Sequence, residues 1–96
     1  MWKECKDLQE YIVGLRRDLH QIPEIGLNLP ETAAYVTAEL DKIGIPYVCS
    51  KKDSGIIATI KGGKPGKTVA IREDIDALPM KELTGLPFAS ENEGAC

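Results

Sequence analysis

No apolar run in these 96 residues approaches the length needed to cross a bilayer, and the opening Met-Trp-Lys-Glu-Cys-Lys-Asp is too polar for a signal peptide. A cytoplasmic protein is therefore expected. Charge of one sign is lacking as well: the formal net charge is -3 with lysines and acids interspersed, which excludes the basic footprint of a nucleic-acid binder. Cysteine occurs only at Cys5, Cys49 and Cys96, an odd number at wide spacing that supports neither a disulfide framework nor a zinc knuckle. These read as free thiols in a reducing compartment. His20 is the single histidine, and one imidazole cannot build a metal site alone. What is present, 43% apolar and 28% charged residues, is the balance of a soluble globular chain of at most one domain.

Leu8, Tyr11, Ile12, Leu15, Leu19 and Ile22 recur at steps of three and four, which predicts one helix from about Lys3 to Gln21 with this stripe as core. Pro23 stops it, because proline disfavours helical geometry in the residue before it. Pro30 suits the first turn of a second helix, and Gly44 followed by Pro46 ends it. Three strands are then expected, Pro46 to Ser50, Gly55 to Lys61 and Lys67 to Ile75, joined by turns short enough for antiparallel hairpins.

The third of these strands delivers two carboxylates, Asp74 and Asp76, to its end. Residues two apart in a strand share a face, and ligands gather beyond strand ends in layered α/β sheets, so the pair is a candidate for supporting a metal or a proton. The plainer reading is that aspartate bonds to nearby backbone amides where a strand enters a turn. His20, near a helix C-terminus, reads as a dipole-compatible cap or a packed structural side chain. Residues 80–96 show no period, and two helices cannot readily coat both faces of the sheet. The chain is therefore expected to be the opening portion of a larger protein.

Leu15-Arg16-Arg17-Asp18-Leu19-His20-Gln21-Ile22-Pro23-Glu24, Ser54-Gly55-Ile56-Ile57-Ala58, Asp74-Ile75-Asp76-Ala77-Leu78-Pro79 and Thr84-Gly85-Leu86-Pro87-Phe88 follow one another at a specific spacing. Together they resemble the metal-dependent amidohydrolases that include hippurate hydrolases, N-acyl amino acid deacylases and auxin-conjugate hydrolases, relatives of aminoacylases and zinc carboxypeptidases. The resemblance implies a partial α/β catalytic domain: two N-terminal helices packed on a mixed sheet with antiparallel hairpins of about three strands. Residues 1–96 would be its N-terminal portion, without the smaller inserted domain that often dimerises.

The resemblance further implies two divalent ions (Zn, Mn, Co or Ni) in the full-length enzyme, a small acyl-amino acid substrate and a possible homo-oligomer. The ligands of this branch lie mainly in a His-Ala-Cys-Gly-His-Asp motif, a Glu-Glu pair and two later histidines, none of them in this chain, so no metal ligand is expected here and this chain is expected to be inactive alone. Cys96 falls two residues before the first alanine of that motif, where methionine is frequent. Asp74 and Asp76 match the family's acidic pair, whose first position is a histidine ligand in the carboxypeptidases and whose second is an aspartate that orients it; Asp76 is the stronger site candidate. Glu73 departs from the alanine common there. The alternative from another class is a stand-alone, non-catalytic α/β binding or assembly module.

Overall fold

The computed structural model describes residues 2–96, in the order Trp2–Asp7 (α1), Gln9–Gln21 (α2), Pro30–Ile43 (α3), Tyr47–Cys49 (β1) and Ile56–Ala58 (β2). The single helix expected over Lys3 to Gln21 is two. Leu8 adopts φ -89° and ψ -1°, and its amide turns back to the Cys5 carbonyl at 3.2 Å, three residues away. Helices draw most of their stability from a packed apolar face. Here Trp2, Leu8 and Ile12 are all exposed, so no packed apolar face spans the join. The stripe expected as core is correspondingly half-covered at best: Leu15, Leu19 and Ile22 are partly buried, and α2 contains no fully buried residue.

The ends of α3 follow the local chemistry. Pro30 opens it, where a missing amide costs nothing, and Gly44 closes it at φ 87° and ψ 25°, with amides of Gly44 and Ile45 both bonded to the Leu40 carbonyl. Its third amide, on Thr32, finds an acceptor in another segment, the side chain of Glu24 at 2.7 Å. Both Leu29 and Thr32, at this end of α3, are buried.

β1 and β2 form the expected hairpin in the register Tyr47 with Ala58, Val48 with Ile57 and Cys49 with Ile56. Ser50 N to Gly55 O at 2.8 Å and Thr59 N to Pro46 O at 3.1 Å extend the pairing one step at each end. The turn is tightened by Asp53, whose Oδ1 accepts the Gly55 amide at 2.8 Å.

The partial α/β arrangement is present, but the sheet among the described residues has two antiparallel strands, and the mixed, roughly three-stranded sheet expected from sequence is not formed. Lys67 to Ile75 carries no ladder, and Val69 and Ile71 are each 84% exposed. The linker before it, Gly62-Gly63-Lys64-Pro65-Gly66, is longer and looser than a two-residue turn and fixes no register, so the alternating pattern alone does not secure a partner. Nor do the helices pack down on the sheet as expected. An open cleft of about 910 Å³ lies among Leu29, Leu40, Ile56 and residues 71–76.

Size measures agree with this openness. The Cα radius of gyration is 15.5 Å, whereas a compact domain of this length has about 12.5 Å. The accessible surface is 8345 Å², against about 5,400 Å² for a folded monomer of this mass. Apolar side chains that this chain leaves uncovered contribute to the excess, Val48, Ile57, Ile60, Val69 and Ile71 among them. No helix among the described residues is long and apolar enough to cross a membrane.

Candidate functional site

The loop between α2 and α3 is the point on which distant segments converge. The Gln21 carbonyl accepts the Glu91 amide at 2.9 Å, and the Pro23 carbonyl accepts Asn92 Nδ2 at 2.8 Å. The Glu24 carbonyl accepts the Ala77 amide at 2.7 Å, and the Leu27 carbonyl accepts the Ser54 amide at 2.9 Å. Ser54 Oγ in turn accepts the Leu29 amide at 2.6 Å. Backbone groups drawn out of water need partners. Ser54 and Ala77 belong to the sequence motifs, and Gln21 Nε2 also donates to the carbonyl of Pro87 in the fourth, so the motifs are stitched to one another through residues 21–29, with Glu91 and Asn92 joining from beyond them.

Beside this hub, His20 in the last turn of α2 meets Glu82 and Cys96. His20 Nε2 lies 2.5 Å from Glu82 Oε1, and Cys96 Sγ donates to the same oxygen at 3.5 Å. The Ser90 amide also donates to Glu82 Oε1, at 3.2 Å, while Thr84 Oγ1 donates to Oε2. The Glu82 side chain is only 5% exposed and that of His20 21%. The Thr84 hydroxyl, followed by the Ser90 amide and His20, holds the Glu82 carboxyl down to about 2 against the opposing effect of burial. Burial pushes the Cys96 thiol up, and its bond to the Glu82 carboxylate pushes the same way. Phe88 stands beside the cluster, edge-on to His20 at 6.5 Å and under the Arg17 guanidinium at 4.4 Å from its ring centre.

Two backbone bonds anchor Cys96: its amide donates to the Leu78 carbonyl at 3.0 Å, and the Leu78 amide donates to the Cys96 carbonyl at 2.9 Å. This reciprocal pair closes residues 79–95 into a loop, braced inside by Ser90 Oγ donating to the Ala95 carbonyl at 2.8 Å.

Asp74 and Asp76 stand across from this cluster. Both line an open cavity of about 320 Å³ whose wall also includes Arg16, His20 and Cys96. Both are exposed, and Asp74 Oδ1 pairs with Arg72 at 2.9 Å. An exposed pair of this kind contributes little to stability. The structure thus brings the two sequence-singled aspartates to one cavity with His20 and Cys96. Glu82 was not among the residues that stood out in the sequence. The only signal for it was its position two residues before Thr84, in a segment without period.

No protein-family model matches the chain. It is 49% identical over 88 residues to an N-acetyldiaminopimelate deacetylase of Listeria welshimeri, an alignment covering 91% of this chain and 24% of that protein. To an N-acetyl-L-cysteine deacetylase of Bacillus subtilis it is 41% identical over 87 residues, covering 91% of this chain and 21% of the relative. The crystal structure of the Bacillus subtilis YXEP protein, a dinuclear metal-binding peptidase of the M20 family, superposes with a TM-score of 0.84 at 40% identity, covering 94% of this chain and 26% of that one. The chain spans about a quarter of the length of the curated relatives it matches.

A pair of metal ions does not fit the residues present. Among the described residues one group of three donors, His20, Glu82 and Cys96, is close enough to share an ion, and Asp74 and Asp76 supply no third donor beside them. Three donors can hold one ion and not two. The described residues therefore do not by themselves assemble the donors of a dinuclear centre, although in sequence and in fold the chain is similar to part of these deacetylases and of the M20 peptidase.

Proposed function

We propose that this chain is the N-terminal segment of a metal-dependent amidohydrolase catalytic domain, one that hydrolyses the amide bond of N-acyl amino acids or related conjugates, and that it is inactive by itself. The observation that carries the reading is the convergence of the four motif segments on residues 21–29. Ser54 and Ala77 bond there through their amides and Pro87 through its carbonyl, which accepts from Gln21 Nε2, in a chain similar to proteins whose names specify removal of an acetyl group from an amino acid nitrogen. Hydrolysis of an unactivated amide near neutral pH calls for a polarised carbonyl and an activated water, which a bound metal pair supplies. This chain would contribute one wall of such a site. Asp76 is its supporting carboxylate beside the metals, with Asp74 in a lesser part.

The uncovered surface is consistent with that role. Residues 66–76, the outer face of the hairpin and the open cleft would receive the remaining three quarters of the enzyme, with a small acyl-amino acid as substrate. Self-association into a homo-oligomer is the competing use of the same face, because exposed apolar segments with free edges invite pairing.

A chimera tests the assignment. The 96 residues replace the matching quarter of the Listeria welshimeri enzyme, and release of acetate from N-acetyldiaminopimelate and N-acetyl-L-cysteine is measured with Mn2+ or Zn2+. The expected result is turnover by the chimera and none by the isolated chain. Changing Asp76 to Ala in the chimera should lower kcat/KM by about 10- to 100-fold, as loss of a ligand-orienting carboxylate does. Turnover by the isolated chain overturns the inactivity, and a folded chimera without turnover overturns the assignment.

A further inference from the structure

We propose that His20, Glu82 and Cys96, none of them among the ligands that the family resemblance implies, form a site for a single divalent ion of borderline softness, Zn2+ or Co2+. The inference rests on these three side chains and not on the amidohydrolase reading.

The donor set is mixed in a way that suits such an ion: one imidazole nitrogen, one carboxylate oxygen and one thiol sulfur, all within 4.8 Å of one another. In a tetrahedral site with bonds of about 2.0 to 2.3 Å, ligand atoms sit about 3.3 to 3.7 Å apart. Cys96 Sγ and Glu82 Oε1 are already at that spacing, 3.5 Å. His20 Nε2 and Glu82 Oε1, at 2.5 Å, hold a proton between them and must part by roughly 0.8 Å to hold an ion instead. A small rotation of the His20 ring or of the Glu82 carboxyl gives that separation. His20 and Cys96 both line the open 320 Å³ cavity, which gives an ion a route in.

Proton balance is straightforward. The thiol releases its proton to solvent on becoming a thiolate. The hydrogen that His20 Nε2 shares with Glu82 moves to Nδ1 if the ring is neutral, or leaves to solvent if the ring is an imidazolium. Binding therefore releases protons.

The remaining features of the cluster also favour a built site over an accidental meeting. Glu82 Oε2 accepts from the Thr84 hydroxyl, while Oε1 meets His20 and Cys96 and is held in place by the Ser90 amide. Cys96 is held by the two-way backbone bond to Leu78, and the His20 ring is flanked by Phe88. Cys5 and Cys49, by contrast, are exposed and belong to no such group.

The test uses the 96-residue chain carrying Cys5→Ser and Cys49→Ser, so that Cys96 is its only thiol. Co2+ is titrated and the near-ultraviolet charge-transfer absorption of a cobalt thiolate is followed, after which Zn2+ is added as competitor. One equivalent of Co2+ should bind at micromolar metal, develop the thiolate band and be displaced by Zn2+. Cys96→Ser should abolish the band, and His20→Gln should weaken Zn2+ binding at least about tenfold. Far-ultraviolet circular dichroism establishes that each variant retains its helices; Cys96→Ser, a near-isosteric change, keeps the test decisive should His20→Gln unfold. Absence of stoichiometric binding, or a band that survives Cys96→Ser, overturns the proposal.

Discussion

Glu24 Oε1 accepts the backbone amide of Thr32 at 2.7 Å, so the first turn of α3 is capped by a residue eight positions earlier and not by its own N-cap, Leu29. The carboxylate also lies at the positive end of the helix dipole. Its own backbone carbonyl meanwhile holds Ala77, so one residue ties α3 and the acidic segment to the same loop. Replacing Glu24 with Ala should destabilise the chain by about 1 kcal/mol, the usual cost of losing a helix cap. Urea unfolding followed by circular dichroism checks this, with Glu24→Gln expected to recover part of the loss.

Gly44 gives a second prediction of similar size from a different cause. It holds φ at 87°, and no atom would meet an added Cβ within 4 Å. The cost of Gly44→Ala is therefore backbone strain alone, about 1 kcal/mol. Ala at Gly14, inside α2 with equally open surroundings, should instead stabilise by roughly 0.5 to 1 kcal/mol. The two substitutions should move the urea midpoint in opposite directions.

The four elements whose limits are set locally were legible in the sequence. Pro23 and Gln21 end α2, Pro30 and Gly44 bound α3, and the Lys51 to Ser54 turn sets the hairpin; each depends on residues within a turn or two of itself. Residues 67–75 show the limit of such reading. Their alternation describes a strand, but pairing needs a neighbouring edge at the right register, and the glycine-rich linker does not deliver one. The site shows the same limit. Asp74, Asp76, His20 and Cys96 could be singled out one at a time, whereas Glu82 gains its importance only from His20, 62 positions away.

The tyrosines carry a pH signature. Tyr35 is pushed up to about 12, first by burial and then by its hydrogen bond to Asp18. Tyr11 is raised by its bond to Glu39, and Tyr47 by burial and its bond to Asp41. A folded-state phenol that holds its proton more tightly than the unfolded one adds stability that is complete below pH 10 and is lost as the pH climbs toward 12. Phenolate absorbance should therefore rise later in the folded chain than in urea, and Asp18→Asn should bring part of that rise back toward pH 10. Coincident titrations with and without urea would contradict this.

Val69 and Ile71 test the use of the open face. Changing both to Lys should leave the circular dichroism of the isolated chain unaltered, because neither side chain is covered. In the chimera the same change should abolish turnover or assembly, since two charges would then be buried without partners. Retained activity would show that residues 66–76 remain outside the enzyme's interior.

The bond between His20 and Glu82 joins the end of α2 to the last fifth of the chain, and the turn, the hairpin and the linker all lie between them. Contacts that close so long a stretch form after local ones, because the closure entropy must be met before the contact rewards it. The helices and hairpin can be established while the histidine and thiol are still far apart. Reactivity of the Cys96 sulfur during refolding would thus act as a clock for the final step, falling only once everything upstream is in place.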